Sequence, residues 1–181
     1  MSTQVLISPA DLNRLRQSEP TVLIDTRDPI RFAEAHIPGA ANVRDVFTYL
    51  ATSTSGGLAT LREKFADAFG KAGLSGAETA IVYEQSMESG FGQSCRGYIL
   101  LRYLGYPKIR VLHGGLTAWH GAGLLVSSDS SPPTPKPFPA RKGGEKIIVD
   151  LAAMKDALSD PGIIKLDVRD VDEWIGERSS P

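Results

Sequence analysis
The chain alternates short apolar runs with stretches of helical character. Runs rich in β-favouring residues stand at Gln4–Ile7, Thr21–Asp25, Thr79–Tyr83 and Ile109–Leu112. Their length and bounding turn residues mark them as buried strands. Ser8-Pro9 supplies an N-cap followed by proline at the first helical position, and Leu12 and Leu15 give that helix one apolar face. Pro29 opens a second short helix carrying Phe32, Ala33 and Ala35, and His36-Ile37-Pro38-Gly39-Ala40 is a turn into a brief strand near Asn42-Val43. Asp45–Ser55 reads as helix then loop, with Gly56-Gly57 as punctuation. Leu58–Ala72 is the clearest amphipathic helix, with Leu61, Phe65, Ala68 and Phe69 at helical spacing and Gly73 as its stop. Residues 98–104 predict a helix with Ser94 as N-cap, and a last one runs from the turn His113-Gly114-Gly115 through Trp119 to Ala122. Strands alternating with helices predict an α/β domain with a mainly parallel sheet flanked by helices.

The pattern breaks at Ser127. Five prolines fall within 132–139, flanked by serines and a glycine pair, so 127–146 reads as an extended, semi-rigid linker outside any core. Then the chain starts again. Ile147-Ile-Val-Asp150-Leu-Ala repeats Val5-Leu-Ile-Ser8-Pro-Ala, and Leu166-Asp167-Val-Arg169-Asp170 with Trp174 repeats Ile24-Asp25-Thr-Arg27-Asp28 with Phe32. Both matches fall at one offset of 142 residues. Two coincident matches at a single offset indicate an internal duplication. The organisation expected is a first domain over 1–126, the linker 127–146, and the opening strand-helix-strand of a second copy over 147–181. Fewer than about 40 residues rarely fold alone, so the rest of the second copy is expected after Pro181.

Composition narrows the function. A formal net charge of −1 over 181 residues excludes a strongly basic nucleic-acid binder. No apolar run reaches membrane-spanning length, so no membrane partner is expected, and the N-terminus lacks the basic-then-apolar pattern of a secretory signal. The single cysteine, Cys95, excludes an internal disulfide framework and a cysteine-built zinc site. The three histidines show no metal-ligand spacing, so neither metal nor cofactor is expected, and the default compartment is the cytoplasm.

The candidate chemistry lies between the strand ending at Tyr83 and the helix that follows. Loops at the carboxyl ends of strands in an open α/β sheet converge backbone N–H groups on anions. Here the loop opens Glu84-Gln85-Ser86-Met87. Cys95 lies at its far end, either as a thiol assisted by Arg96 and a helix N-terminus or as a small residue packing the first turn. A phosphatase-type Cys-x5-Arg is excluded, because Leu101 stands six residues on. Asp25, Arg27 and Asp28 read as a charge brace fixing the end of their strand.

In this order and spacing, Asp25-Thr-Arg27-Asp28, His36-Ile-Pro-Gly-Ala40, the Tyr83 loop and Leu112-His-Gly-Gly115-Leu-Thr-Ala-Trp119 resemble the rhodanese family of sulfurtransferases over the whole of 5–126. The duplication resembles the tandem thiosulfate and 3-mercaptopyruvate sulfurtransferases. The resemblance implies that a cysteine directly after the central strand takes sulfane sulfur from thiosulfate or a mercapto-acid as a persulfide and passes it to a thiophilic acceptor. That position is Glu84 here, and a carboxylate cannot carry sulfur. Tandem members commonly have an acidic residue at this point of the first domain. The resemblance therefore places the catalytic cysteine beyond Pro181, leaves 1–181 without activity of its own, and has the two repeats pack on each other in the longer protein. Asp167, Arg169 and Glu173 would support the second-domain site; some members carry at the Glu173 position an arginine that helps hold an anionic donor. Two alternatives follow from the same residues: a non-catalytic rhodanese-like binding or regulatory module, and Cys95 itself as sulfur acceptor.

Overall fold
A computed structural model describes residues 4–87, 92–129, 133–141 and 147–179. They divide into two units, 1–148 and 149–181. In chain order the first unit runs β1 (Leu6–Ile7), α1 (Pro9–Ser18), β2 (Thr21–Asp25), α2 (Pro29–Glu34), β3 (Ala41–Asn42), α3 (Asp45–Thr48), α4 (Ser55–Lys71), β4 (Thr79–Tyr83), α5 (Gln93–Tyr103), β5 (Ile109–Leu112) and α6 (Gly115–Gly121). The five strands form one parallel sheet in the order β1-β5-β4-β2-β3. β4 lies at its centre and is buried at every residue, which is why its sequence runs apolar from Ala80 onward rather than alternating.

Strand periodicity sorts the core into two layers. Ile24, Ala80 and Val82 face Leu61, Phe65 and Phe69 of α4 and Leu100 and Leu101 of α5. The alternate residues Leu23, Ile81 and Tyr83 face Leu12 of α1 and Leu116 and Trp119 of α6. The expected mainly parallel sheet with flanking helices is the architecture observed.

Local chemistry sets the helix starts. Ser8 accepts the Asp11 N–H at 3.1 Å and Asp28 accepts the Ile30 N–H at 2.9 Å, each ahead of a proline at the first helical position. α4 begins at Ser55, capped by Thr54, whose hydroxyl accepts the Gly57 N–H at 3.2 Å. Gly56 and Gly57 are therefore the first turn of the helix and not punctuation ahead of it. α5 differs from expectation as well: its N-cap is Gly92, at φ 69°, and Ser94 lies inside the first turn. A left-handed cap residue favours glycine, and the Ser94 N–H, one of the open amides of the first turn, is taken by a group outside the helix.

The proline-rich segment corrects the sequence reading more strongly. Among its described residues, Phe138 packs against the core layer of α4 and α5. Its ring lies 5.5 Å from that of Tyr106 and 5.9 Å from that of Phe69. Lys136 N–H donates to Gly70 O at 2.9 Å and Arg141 N–H to Leu104 O at 3.0 Å. Residues 133–141 are a strap laid along the first unit, with Phe138 packed on its core rather than outside it.

The second unit contains α7 (Leu151–Ser159) and α8 (Val171–Trp174). The strands expected near 147–149 and 163–168 are absent among the described residues. Ile164, Leu166 and Val168 keep the strand period but are 80–90% exposed, and a strand with no neighbour has no ladder to join. No helix among the described residues is long and apolar enough to cross a membrane.

Candidate functional site at the carboxyl end of the sheet
The carboxyl ends of β2 and β4 are tied together by a buried polar network. Asp25, fully buried at the end of β2, accepts the Arg27 backbone N–H at 2.8 Å and the Arg27 guanidinium at 2.7 Å. Arg27 also donates to Ala35 O at 2.6 Å and to Gln85 Oε1 at 3.0 Å, and Gln85 Nε2 donates to Thr117 Oγ1 at 3.0 Å. Thr26 N–H and its hydroxyl both donate to Tyr83 O at 3.1 Å. The Tyr83 hydroxyl is held far into its neutral form, first by burial and then by the Asp25 carboxylate beside it. Asp25 and Arg27 are thus a brace, one whose charges are satisfied internally.

Glu84 follows directly on β4 and is buried. Its Oε2 accepts the Ser94 N–H at 2.9 Å, which caps α5 from outside the helix. Its other oxygen, Oε1, is buried without a hydrogen-bond partner, as is the Ser94 hydroxyl. Burial pushes the Glu84 carboxyl above its usual range, and the Ser94 and Gln93 amides pull only part of the way back. The loop Glu84–Met87 is pinned from the far side by α6: Leu116 N–H donates to Glu84 O and Thr117 N–H to Gln85 O, each at 2.9 Å. That approach requires Gly115, where a Cβ would stand 2.3 Å from Glu84 O. Beyond Glu84, Gln85 is tied into the brace, whereas Ser86 is half-buried and Met87 exposed; residues 88–91 lie outside the described part.

Cys95 is exposed on α5. Partial burial and then the charge of Glu84 push its thiol up, away from the thiolate form. Of the histidines, His36 stacks on Phe32 at 4.0 Å and places its ring nitrogens 2.8 Å from Phe32 O and 3.2 Å from Asp129 O. It is a structural residue of its turn. Trp119 is buried in the core, its Nε1 donating to Leu125 O at 2.8 Å.

The second unit repeats the brace. Arg169 N–H donates to Asp167 Oδ1 at 3.0 Å and Arg169 NH2 to Asp167 Oδ2 at 2.7 Å, the same atoms paired as in Asp25–Arg27. Asp150 accepts the Ala153 N–H at 2.8 Å, as Ser8 accepts that of Asp11. Glu173 accepts the Asp170 N–H at 3.2 Å, closing the first turn of α8.

Sequence reasoning did not single out Arg44 and Gln93. They line, with Arg27 and Gln85, a cavity of about 580 Å³ at this end of the sheet. No local pattern announces them, because the three segments that bring them together are far apart in the chain.

A parallel α/β sheet with flanking helices and a glycine-pinned loop after its central strand defines a rhodanese-type domain. The family profile described as Rhodanese-like domain matches residues 8–122, and the chain belongs to that family. Among its relatives, the thiosulfate sulfurtransferase of Azotobacter vinelandii is 33% identical over 143 residues, covering 79% of this chain and 49% of that protein. The 3-mercaptopyruvate sulfurtransferase of Rattus norvegicus is 32% identical over 135 residues, covering 70% and 45%. The chain therefore spans about half the length of the curated relatives it matches. Among solved structures, SseA from Escherichia coli, described as a 3-mercaptopyruvate sulfotransferase, superposes with a TM-score of 0.68 at 23% identity, covering 86% of this chain and 62% of that one. The anaerobic ergothioneine biosynthesis enzyme from Chlorobium limicola gives 0.76 at 25% identity, covering 97% and 46%. The homologues are sulfurtransferases, which supports sulfur transfer as the general chemistry of the family to which the chain belongs.

Proposed function
We propose that residues 1–126 are the first, non-transferring half of a tandem rhodanese-type sulfurtransferase. In this reading sulfane sulfur moves from thiosulfate or a mercapto-acid to a thiophilic acceptor, by way of a cysteine persulfide carried in the second copy beyond Pro181. The observation that carries the reading is Glu84. Its carboxylate sits directly after β4 and already occupies the amide of Ser94, so the anion cradle that a persulfide needs is filled by the chain itself. When ionised, this carboxyl also opposes an anionic donor.

The duplicated brace at Asp167–Arg169 and the duplicated cap at Asp150 support the existence of a second copy. Its site would draw on Asp167, Arg169 and Glu173, and the two repeats would pack on each other in the cytoplasmic protein. The raised thiol of Cys95 speaks against that residue as acceptor. The test is sulfur transfer to cyanide from thiosulfate and from 3-mercaptopyruvate. The 1–181 polypeptide is expected to be inactive and a longer polypeptide with the complete second copy active. Full activity from 1–181 overturns the assignment, and inactivity of the longer chain favours a non-catalytic binding module.

A further inference from the structure
The cavity at the carboxyl ends of β2 and β4 holds three guanidinium groups, of Arg27, Arg31 and Arg44. Two are engaged. Arg27 is locked on Asp25, and Arg31 pairs with Glu34 at 3.1 Å. The remaining carboxylate at the rim, Asp28, is occupied in capping α2 through the Ile30 N–H. Arg44 differs from both. Its NH1 donates to Thr26 O at 3.3 Å and Gln93 Oε1 at 3.2 Å, and its guanidinium lies 4.9 Å from the centre of the Phe47 ring. These contacts fix the group at the cavity wall without neutralising it. No carboxylate pairs with it among the described residues, and its Nε and NH2 hydrogens are left to donate.

We propose that this cavity binds a small oxyanion, with Arg44 as its charged anchor. A guanidinium presents paired donors that match two oxygens of a sulfur oxyanion or a carboxylate. The Gln93 side chain and the second Gln85 amide hydrogen stand at the same wall to complete the contacts. Arg27, committed to its brace, contributes field rather than a salt bridge. The half-buried setting of Arg44 weakens screening by salt relative to an open surface. Glu84 does not compete for this place, because its bonded oxygen is directed to the start of α5. The inference deepens the reading of the first repeat as a domain without its own sulfur carrier. Its readout is binding, so it stands or falls separately from any turnover.

Isothermal titration of the 1–181 polypeptide with thiosulfate, sulfate and pyruvate, at ionic strength held constant with chloride, tests it. Saturable 1:1 binding of at least one of the three is expected. Arg44→Met should weaken it at least tenfold, Arg44→Lys by less, and Arg102→Met, at an exposed arginine outside this cavity, not at all. Preference for thiosulfate and sulfate assigns a tetrahedral sulfur oxyanion, and preference for pyruvate assigns a carboxylate. Should Arg44→Met fail to fold, Gln93→Leu removes a partner that orients Arg44 without changing charge, and a several-fold loss is expected. Absence of saturable binding by all three anions, or binding that these substitutions leave unchanged, overturns the proposal.

Discussion

At the scale of single residues, Glu84 sets the character of the corner after β4. Its carboxylate is buried, with one oxygen bonded to Ser94 and the other unpartnered. The ionised form is therefore disfavoured in the fold, and the carboxyl titrates above the 4.5 of a free side chain. The sign follows directly. A carboxyl whose folded value is raised contributes stability that is complete below 4.5 and is lost as pH climbs through the raised value. Glu84→Gln keeps an acceptor for the Ser94 N–H and removes the charge. It is expected to stabilise the first unit at neutral pH by about 1 kcal/mol, or about 3 °C in thermal midpoint, and to leave the gap smaller at pH 4. Thermal unfolding of both proteins across pH 4–8 checks this, and parallel pH profiles would contradict it. The position of Glu84 was legible, since it follows an unmistakable strand. Its capping role was not: Ser94 is ten residues away, and local pattern favoured Ser94 as the cap of its own helix.

Among the elements, those with a repeating apolar period were legible and those held by distant partners were not. β2, β4 and β5 follow from runs of β-favouring residues, and α1 and α2 from Ser-Pro and Asp-Pro starts. The strap over 133–141 was misread because proline-rich composition describes what a segment does alone, whereas Phe138, Lys136 and Arg141 find partners on α4 and α5 and in the turn after α5. Its polar anchor is Glu78, which Lys136 Nζ approaches to 2.7 Å and whose carboxylate also accepts the Ser75 N–H at 2.8 Å. Burial alone would raise the Glu78 carboxyl, but Lys136 and Ser75 outweigh it and hold it at about 2. A lowered carboxyl contributes stability above 4.5 that is lost as pH falls toward about 2. Lys136→Ala is expected to cost about 1 kcal/mol near neutral pH, modest because the lysine is half exposed, and to move the onset of acid unfolding upward. Phe138→Ala should cost about 2 kcal/mol through the lost ring contacts. Urea denaturation measures both, and cleavage within 133–141 by a protease should become faster in each variant. Wild-type stability in both variants would mean that the strap does not hold the domain.

For the whole molecule, the two units present opposite balances of burial. In the first, the apolar residues of β2, β4 and β5 are largely enclosed between helices on both faces. In the second, Leu151, Leu158, Ile164, Leu166, Val168 and Trp174 are all more than 60% exposed. Exposure on that scale is unfavourable in water, at about 25 cal/mol for each Å² left uncovered. Yet the sequence here parallels that of the first unit: Leu166, Asp167 and Arg169 stand in the same order and spacing as Ile24, Asp25 and Arg27, and the brace forms with the same atom pairing in both units. The local chemistry of the motif therefore does not require the sheet. What the sheet adds is the ladder, and β2 obtains its ladder from β3 and β4, of which the second unit has no counterpart among its described residues. Backbone hydrogen exchange turns this contrast into a measurement. In the 1–181 polypeptide, amides of 21–25 and 79–83 should exchange at the rate of global unfolding, and those of 163–168 within seconds. In a longer polypeptide that supplies strands to flank 163–168, the same amides should become protected to the level of 21–25. The Asp167–Arg169 pair should lose its exposure at the same time. If 163–168 exchange as fast in the longer chain as in 1–181, the repeated sequence is not a second strand, and the duplication ends at the level of a turn and a helix cap.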